Sequence, residues 1–169
     1  YTSALQAPTT GLVLAAEHKA TEEYITAAGV PATFLRNGWY TENHQADFAA
    51  AKQGVIANSV GAGRIASAPR REFGEAAAVV LTTSGHENKA YELSGDVAWD
   101  FSEFAAAAEE VLGKPVTYQA LTANQERDQL LGFGLDQGTV GFIGLLNANI
   151  AEGVLAHVNG DLAGLIGHP

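Results

Sequence analysis

The sequence predicts an α/β fold built on a parallel β-sheet, and two observations support this prediction. The first is an early helix–turn–strand unit, in which a helical pattern over residues 12–28 precedes a short β-prone segment at 32–36. Gly29, a common helix stop, and Pro31 lie in the turn between them. The second is that strand and helix patterns alternate along the chain, which is the repeating order of α/β proteins.

The later elements are predicted from the same patterns. Helices are expected at 43–51, 70–82, 100–112, 123–131 and 140–155, and strands at 90–93 and 116–121. Asp100 is the expected N-cap of its helix, because Glu103 follows three residues later as in a capping box.

Composition limits the classes of function. The 169 residues are 47% hydrophobic and 17% charged, which is typical of a globular domain. The net charge of −10 makes nucleic acid and anionic membranes poor partners. Without cysteine, the chain forms no disulfide and has no thiolate nucleophile or cysteine-ligated metal. The five histidines show no metal-ligand spacing, so no metal site is predicted.

The chain contains no methionine and opens with Tyr1, Thr2 and Ser3, a sequence resembling the end of a strand. We therefore expect these residues to belong to a longer protein and to end a strand near the centre of the sheet. The hydroxyls of Thr2 and Ser3 have two interpretations. They face a ligand, or they form an ordinary strand end.

The strongest candidate site directly follows the segment at 32–36 and consists of Asn37, Gly38, Trp39 and Tyr40. Ligands of open α/β sheets bind at the carboxyl ends of the strands. Tryptophan and tyrosine rings can form a flat wall against a planar ligand, and glycine allows the ligand to approach the backbone. The alternative is an aromatic plug that closes one edge of the core.

A second candidate is His18, one turn into the first helix. In short-chain dehydrogenases the corresponding helix carries a tyrosine proton donor and, four residues later, a lysine that assists it. Here His18 stands at the lysine position and Leu14 at the tyrosine position, so that acid is missing. We expect His18 to point toward Asn37 and Tyr40, with a structural role as the alternative.

Several runs of the sequence together resemble one family. The main ones are 16–23, 29–31 and 34–43, the last reading Phe-Leu-Arg-Asn-Gly-Trp-Tyr-Thr-Glu-Asn, and further matches lie at 1–3, 63–68, 91–96, 116–119 and 165–169. They are similar to the NmrA-like atypical short-chain dehydrogenases, and most similar to the type 2 NAD(P)H:quinone oxidoreductases.

The resemblance implies an NAD(P)-binding Rossmann-like fold. The chain would contain the second half of its parallel sheet, over residues 1–55, and a small C-terminal α/β lobe, over residues 56–169. It also implies direct hydride transfer from NADPH, or from NADH, to a quinone, which depends more on proximity than on a protein acid. We expect a cytoplasmic enzyme and leave a homodimer open. The alternative is a redox-sensing regulator that binds NAD(P) without turnover.

The site residues are assigned from this resemblance and from the patterns above. The expected cofactor-binding residues are Thr2, Ser3, Asn37, Gly38, Trp39, Tyr40, Thr41, Glu42, Asn43, His44 and Phe73. Tyr40 and His18 are the expected catalytic residues. At Phe73 a tyrosine would be more familiar in the family. The glycine-rich phosphate loop of the family, and its arginine for the 2′-phosphate, are not among residues 1–169.

Overall fold

In the computed structural model, which describes residues 1–169, the chain forms two compact units. The first consists of Tyr1–Glu42, Ala66–Ala98 and His157–Pro169, and the second of Asn43–Ile65 and Trp99–Ala156. The units are therefore interleaved along the chain, whereas the sequence predicts a single boundary at residue 55.

Five strands alternate with the first five of seven α-helices, and the last two helices follow without a strand. The elements in chain order are β1 Thr2–Ala4, α1 Ala15–Ala27, β2 Phe34–Asn37, α2 Gln45–Ala51, β3 Val55–Asn58, α3 Arg70–Thr82, β4 Ala90–Leu93, α4 Phe101–Leu112, β5 Thr117–Ala120, α5 Ala123–Gly132, α6 Gln137–Ala151 and α7 Asp161–Ile166. A short 3-10 helix, Thr41–His44, precedes α2. None of the helices is both long and apolar enough to span a bilayer.

The first unit contains a parallel sheet in the order β1–β2–β4. Side chains alternate between the faces of a strand, so Leu35 and Arg36 point to opposite faces of β2. Arg36 meets α1 through Glu22, whereas Leu35 packs into a buried core with residues of α3 and α7. That core contains Leu35, Ala68, Phe73, Ala76, Leu93 and Leu162. The sheet therefore has α1 on one face and the α3–α7 pair on the other.

The second unit contains a two-stranded parallel sheet of β3 and β5, packed with α2, α4 and α5. Helix α4 begins with the predicted capping box, since the Asp100 side chain accepts from the backbone of Glu103, whose carboxylate accepts from the backbone of Asp100. The helix ends at Gly113, which has a left-handed φ of 65°. Phe101 of α4 stacks on Tyr118 of β5 at a ring distance of 5.5 Å.

The α/β fold class is confirmed, and most element boundaries agree with the sequence patterns. The helix at 70–82 and the strand at 90–93 match α3 and β4 residue for residue. Strand β3 and helix α7 were not predicted. Residues 2–4 do form a strand, and among residues 1–169 β1 pairs with β2 alone; its expected central position in the sheet of a longer protein stays a prediction.

We expect Asp100→Ala to lower the free energy of unfolding by about 1 kcal/mol, because the backbone N–H groups of Ser102 and Glu103 lose their acceptor. Asp100→Asn is the matched control. Asparagine caps equally well, and the exposed ion pair to Arg64 that it removes contributes little. Urea unfolding of the three proteins measures both effects. Equal losses in the alanine and asparagine variants would contradict the capping role.

Candidate functional site

The carboxyl edge of the first unit's sheet brings together the segments that follow its three strands. The Leu5 N–H donates to the Asn37 carbonyl at 2.9 Å, and the Gly38 N–H donates to the Leu93 carbonyl at 2.7 Å. Ser94 follows Leu93 directly. We call Leu5, Asn37–Tyr40 and Ser94 the carboxyl edge, which is where open α/β sheets bind their ligands.

Two glycines allow these segments to pack closely. A Cβ atom at Gly38 would lie 2.9 Å from the Leu93 carbonyl oxygen, and one at Gly95 would collide with the Ser67 carbonyl. Because both neighbours are backbone atoms that cannot rotate away, a side chain at either position would force the segments apart. The two glycines are therefore required by the packing of the edge.

Three buried polar atoms of the carboxyl edge have no hydrogen-bond partner. They are Asn37 Oδ1, Trp39 Nε1 and Ser94 Oγ. Buried polar atoms in proteins are nearly always paired, and an unpaired one costs about 1–3 kcal/mol. One N–H donor, one carbonyl acceptor and one hydroxyl at a single edge are therefore without a partner in the chain.

Tyr40 is held on two sides. Its hydroxyl accepts a hydrogen bond from Asn37 Nδ2 at 3.2 Å, and its ring meets Phe73 edge-on at 5.1 Å. The Arg70 guanidinium lies 5.3 Å from the same ring. Phe73 is only 4% exposed and belongs to the core, so its position does not support the expected contact with a cofactor. Tyr40 thus contacts the core while its hydroxyl stays at the carboxyl edge.

The next two residues of the predicted segment have structural contacts. The Thr41 hydroxyl donates to Ser67 Oγ at 3.3 Å. Both carboxylate oxygens of Glu42 accept from the Arg70 backbone N–H at 3.0 Å. That N–H opens α3, whose N-cap residue Pro69 offers no side-chain acceptor, so Glu42 caps the helix from outside.

Asn43 and His44 belong to the second unit, so the predicted cofactor segment is divided between the two units. His44 is 6% exposed, and its Nδ1 lies 2.9 Å from the Asp47 carboxylate. Its ring packs against Trp99 and Phe104 at 4.8 and 5.7 Å, and its Nε2 has no partner. Asn43 is exposed.

His18, Thr2 and Ser3 are the remaining predicted site residues. His18 Nδ1 lies 2.9 Å from the Tyr1 hydroxyl, and the two rings are 6.0 Å apart. These contacts replace the expected ones with Asn37 and Tyr40, so the expected orientation of His18 is wrong. Its catalytic role stays a prediction. Ser3 is buried on the face that meets α1, and Thr2 is exposed.

Comparison with known proteins relates the chain to reductases. No family model matches it. Quinone oxidoreductase 2 of Escherichia coli is 42% identical over the whole chain. Its crystal structure with NADPH superposes with a TM-score of 0.93 over the whole chain. The Citrobacter triphenylmethane reductase complexed with NADP(H) is 34% identical, with a TM-score of 0.91 over 99% of the chain.

The chain is therefore a homologue of quinone oxidoreductase 2 and has the fold of NAD(P)-binding reductases. It spans about three fifths of the length of these relatives: 59% of the E. coli protein, 60% of the chain in its NADPH complex, and 59% of the Citrobacter chain. The resemblance stated from the sequence is thereby confirmed, as is the Rossmann-like fold class.

Sequence reasoning missed an ion-pair network beneath the carboxyl edge. Arg36 donates to both oxygens of Glu22, at 2.9 and 2.6 Å, and to Glu92 at 2.7 Å. The second oxygen of Glu92 accepts from the Gln6 backbone N–H at 2.6 Å. The network therefore ties α1 and β4 to the turn after β1. Arg36 and Glu92 are 56 residues apart in the sequence, and no local pattern joins them.

The network shifts the pKa values of its members. Hydrogen bonding to Glu22 raises the pKa of Arg36 above its ordinary value, against the opposing effect of burial. Burial by itself raises the pKa of Glu22, but the hydrogen bonds from Arg36 and its positive charge outweigh that effect. The pKa of Glu22 therefore lies below its ordinary value of 4.5.

We expect Glu22→Gln to lower the free energy of unfolding at neutral pH by on the order of 3 kcal/mol, because it breaks a buried ion pair. Since the pKa of Glu22 is lowered by folding, its carboxylate stabilises the protein above pH 4.5, and this contribution is lost as the pH falls below that value. The variant should therefore lose less stability than the parent between pH 6 and pH 3. Thermal melts across that range measure the difference.

The neighbouring exposed residue provides the control for this prediction. Glu23→Gln removes the same charge from α1 without touching Arg36, and should change stability by less than about 0.5 kcal/mol. If both variants follow the acid unfolding of the parent, the network does not set its pH dependence.

Proposed function

We propose that the protein reduces quinones with NADPH, NADH being the second cofactor considered, and that residues 1–169 supply the edge that meets the nicotinamide and the quinone. The unpartnered polar atoms of the carboxyl edge are the main support from the structure. The second support is similarity to an E. coli protein named quinone oxidoreductase 2, one structure of which contains NADPH.

The residues present fit a nicotinamide group. A carboxamide offers two N–H donors and one acceptor oxygen, and the carboxyl edge offers a free acceptor at Asn37 Oδ1 and a free donor at Trp39 Nε1. The Ser94 hydroxyl can donate or accept a hydrogen bond. Because these atoms are already buried, a ligand that pairs with them removes an existing cost of the folded state.

NADPH, when bound, would supply a hydride, and the quinone would then need one further proton to become a hydroquinone. Tyr40 is the residue proposed to donate a hydrogen bond to the quinone oxygen. Its hydroxyl accepts from Asn37, so its own hydrogen remains free to point elsewhere. Contacts with Phe73 and Arg70 limit the motion of the ring, which keeps the hydroxyl in one place.

Steady oxidation of NADPH in the presence of benzoquinone, by the natural protein that contains residues 1–169, tests the proposed function. We expect turnover that depends on both reactants. Tight NADPH binding without turnover would instead support the regulator alternative. No binding of NADPH by the natural protein would contradict both.

We expect Tyr40→Phe to lower kcat for quinone reduction at least about tenfold, because the ring remains while the proposed donor is lost. Stability should fall by only about 1 kcal/mol, the contribution of the hydrogen bond from Asn37. Tyr24→Phe, at a side chain that is 77% exposed, is the control and should change neither quantity. Full turnover in Tyr40→Phe would show that the Tyr40 side chain only packs against the core.

Ser94→Ala separates a ligand-binding role from a structural one. Removing a buried hydroxyl without a partner should leave the stability of the cofactor-free protein unchanged or raise it by about 1 kcal/mol. Affinity for NADPH should fall about three- to tenfold, the equivalent of one hydrogen bond. Thermal melts and calorimetric titration of Ser94→Ala, with the exposed Ser102→Ala as control, measure both. Lower stability with unchanged affinity would show that Ser94 is structural.

A further inference from the structure

A groove of about 620 Å³ lies between α5 and α6 in the second unit. This volume is within the range of small-molecule sites, which are typically apolar with a few polar groups. Its walls include Ala123 and Leu131 of α5 and Val140 of α6. Gly141 and Gly144 of α6 also line it, and a Cβ atom at either would meet no atom within 4 Å. The groove is thus open space that ordinary side chains would fill.

Buried hydrogen bonds hold the two helices on either side of the groove. The Glu126 carboxylate of α5 accepts from Asn147 of α6 at 2.8 Å and from the Ser59 hydroxyl, after β3, at 2.5 Å. Glu126 is 6% exposed and Asn147 is 9% exposed. Because the Glu126 carboxylate is turned inward to these partners, it does not line the groove.

The charge on the groove wall is positive in a strongly acidic chain. Arg127 lines the groove and is the only lysine or arginine after Lys114. Its ion-pair partner is the adjacent Asp128 at 3.1 Å, and both side chains are more than half exposed. Exposed pairs of this kind contribute little, so Arg127 can turn to another anion. The amides of Asn124 and Gln137 add hydrogen-bonding groups to the same wall.

We propose that this groove binds an amphipathic organic anion, with an apolar alkyl or aryl body and a carboxylate or sulfonate head. The body lies over Gly141 and Gly144, where it removes exposed apolar surface from water. The head pairs with Arg127, whose guanidinium matches a carboxylate in two hydrogen bonds. The site belongs to the second unit alone and does not depend on the proposed reductase activity.

Calorimetric titration of the full chain with decanoate tests the proposal, with decyltrimethylammonium as the probe of equal length and opposite charge. We expect one decanoate per chain and at least about fivefold weaker binding of the cation. Arg127→Gln should weaken decanoate about two- to fivefold, the range of an exposed charge pair. Asp128→Asn should strengthen it, because Arg127 loses its competing partner.

Gly141→Leu fills the groove and should abolish decanoate binding. Since a leucine in this helix meets open space and favours helix over glycine, the variant should remain folded. Two changes in α3 are the matched controls: Arg71→Gln removes an exposed arginine, and Gly74→Leu fills open space on another helix. Both should bind decanoate as the parent does. Equal affinity for the two probes, or parental affinity in folded Gly141→Leu, would overturn the proposal.

Discussion

The contact between Arg36 and the two glutamates supports the arrangement of the whole first unit. Arg36 lies in β2, the middle strand, and joins Glu22 of α1 to Glu92 of β4. A partly buried guanidinium is stabilised only where its hydrogen bonds are met, so α1 and β4 must keep their positions relative to β2. The same Glu92 also accepts a hydrogen bond from the backbone N–H of Gln6, a turn residue with a φ of 52°. The carboxyl edge therefore rests on an ionic layer beneath it.

The two faces of β2 explain how stability and binding can be separated in this sheet. Leu35 on one face joins an apolar core, and Arg36 on the other is paired with two glutamates. Neither leaves an unmet hydrogen bond. The unmet ones begin at the strand's end, at Asn37 and Trp39. Along β2 itself, the unpartnered polar atoms thus lie where the strand ends, while Ser3 Oγ of β1 and His44 Nε2 of the second unit also lack partners.

The sequence predicted those parts of the fold that local patterns determine. The helix over Arg70–Thr82 and the capping box at Asp100 follow from residues within a few positions of one another. Strand β3 was missed because its four residues contain little apolar periodicity, and the edge position of β1 depends on which strands are present. For the site, the run Asn37–Tyr40 directly after a predicted strand was enough to locate the carboxyl edge. Ser94 at the edge and Glu92 beneath it are brought close by the pairing of β2 with β4, two strands that are distant in sequence.

The expectation for His18 shows why a position on a helix does not by itself identify a catalytic residue. The comparison with the Tyr–Lys helix of short-chain dehydrogenases assigned His18 by its place in the sequence. In the structure its ring hydrogen-bonds to Tyr1, and the next turn of α1 presents Glu22 to Arg36. The face of α1 that meets the sheet is therefore occupied by structural contacts. Because that helix is committed to the ionic layer, the residue proposed to donate a hydrogen bond to the quinone lies in another segment: it is Tyr40, whose hydroxyl accepts from Asn37.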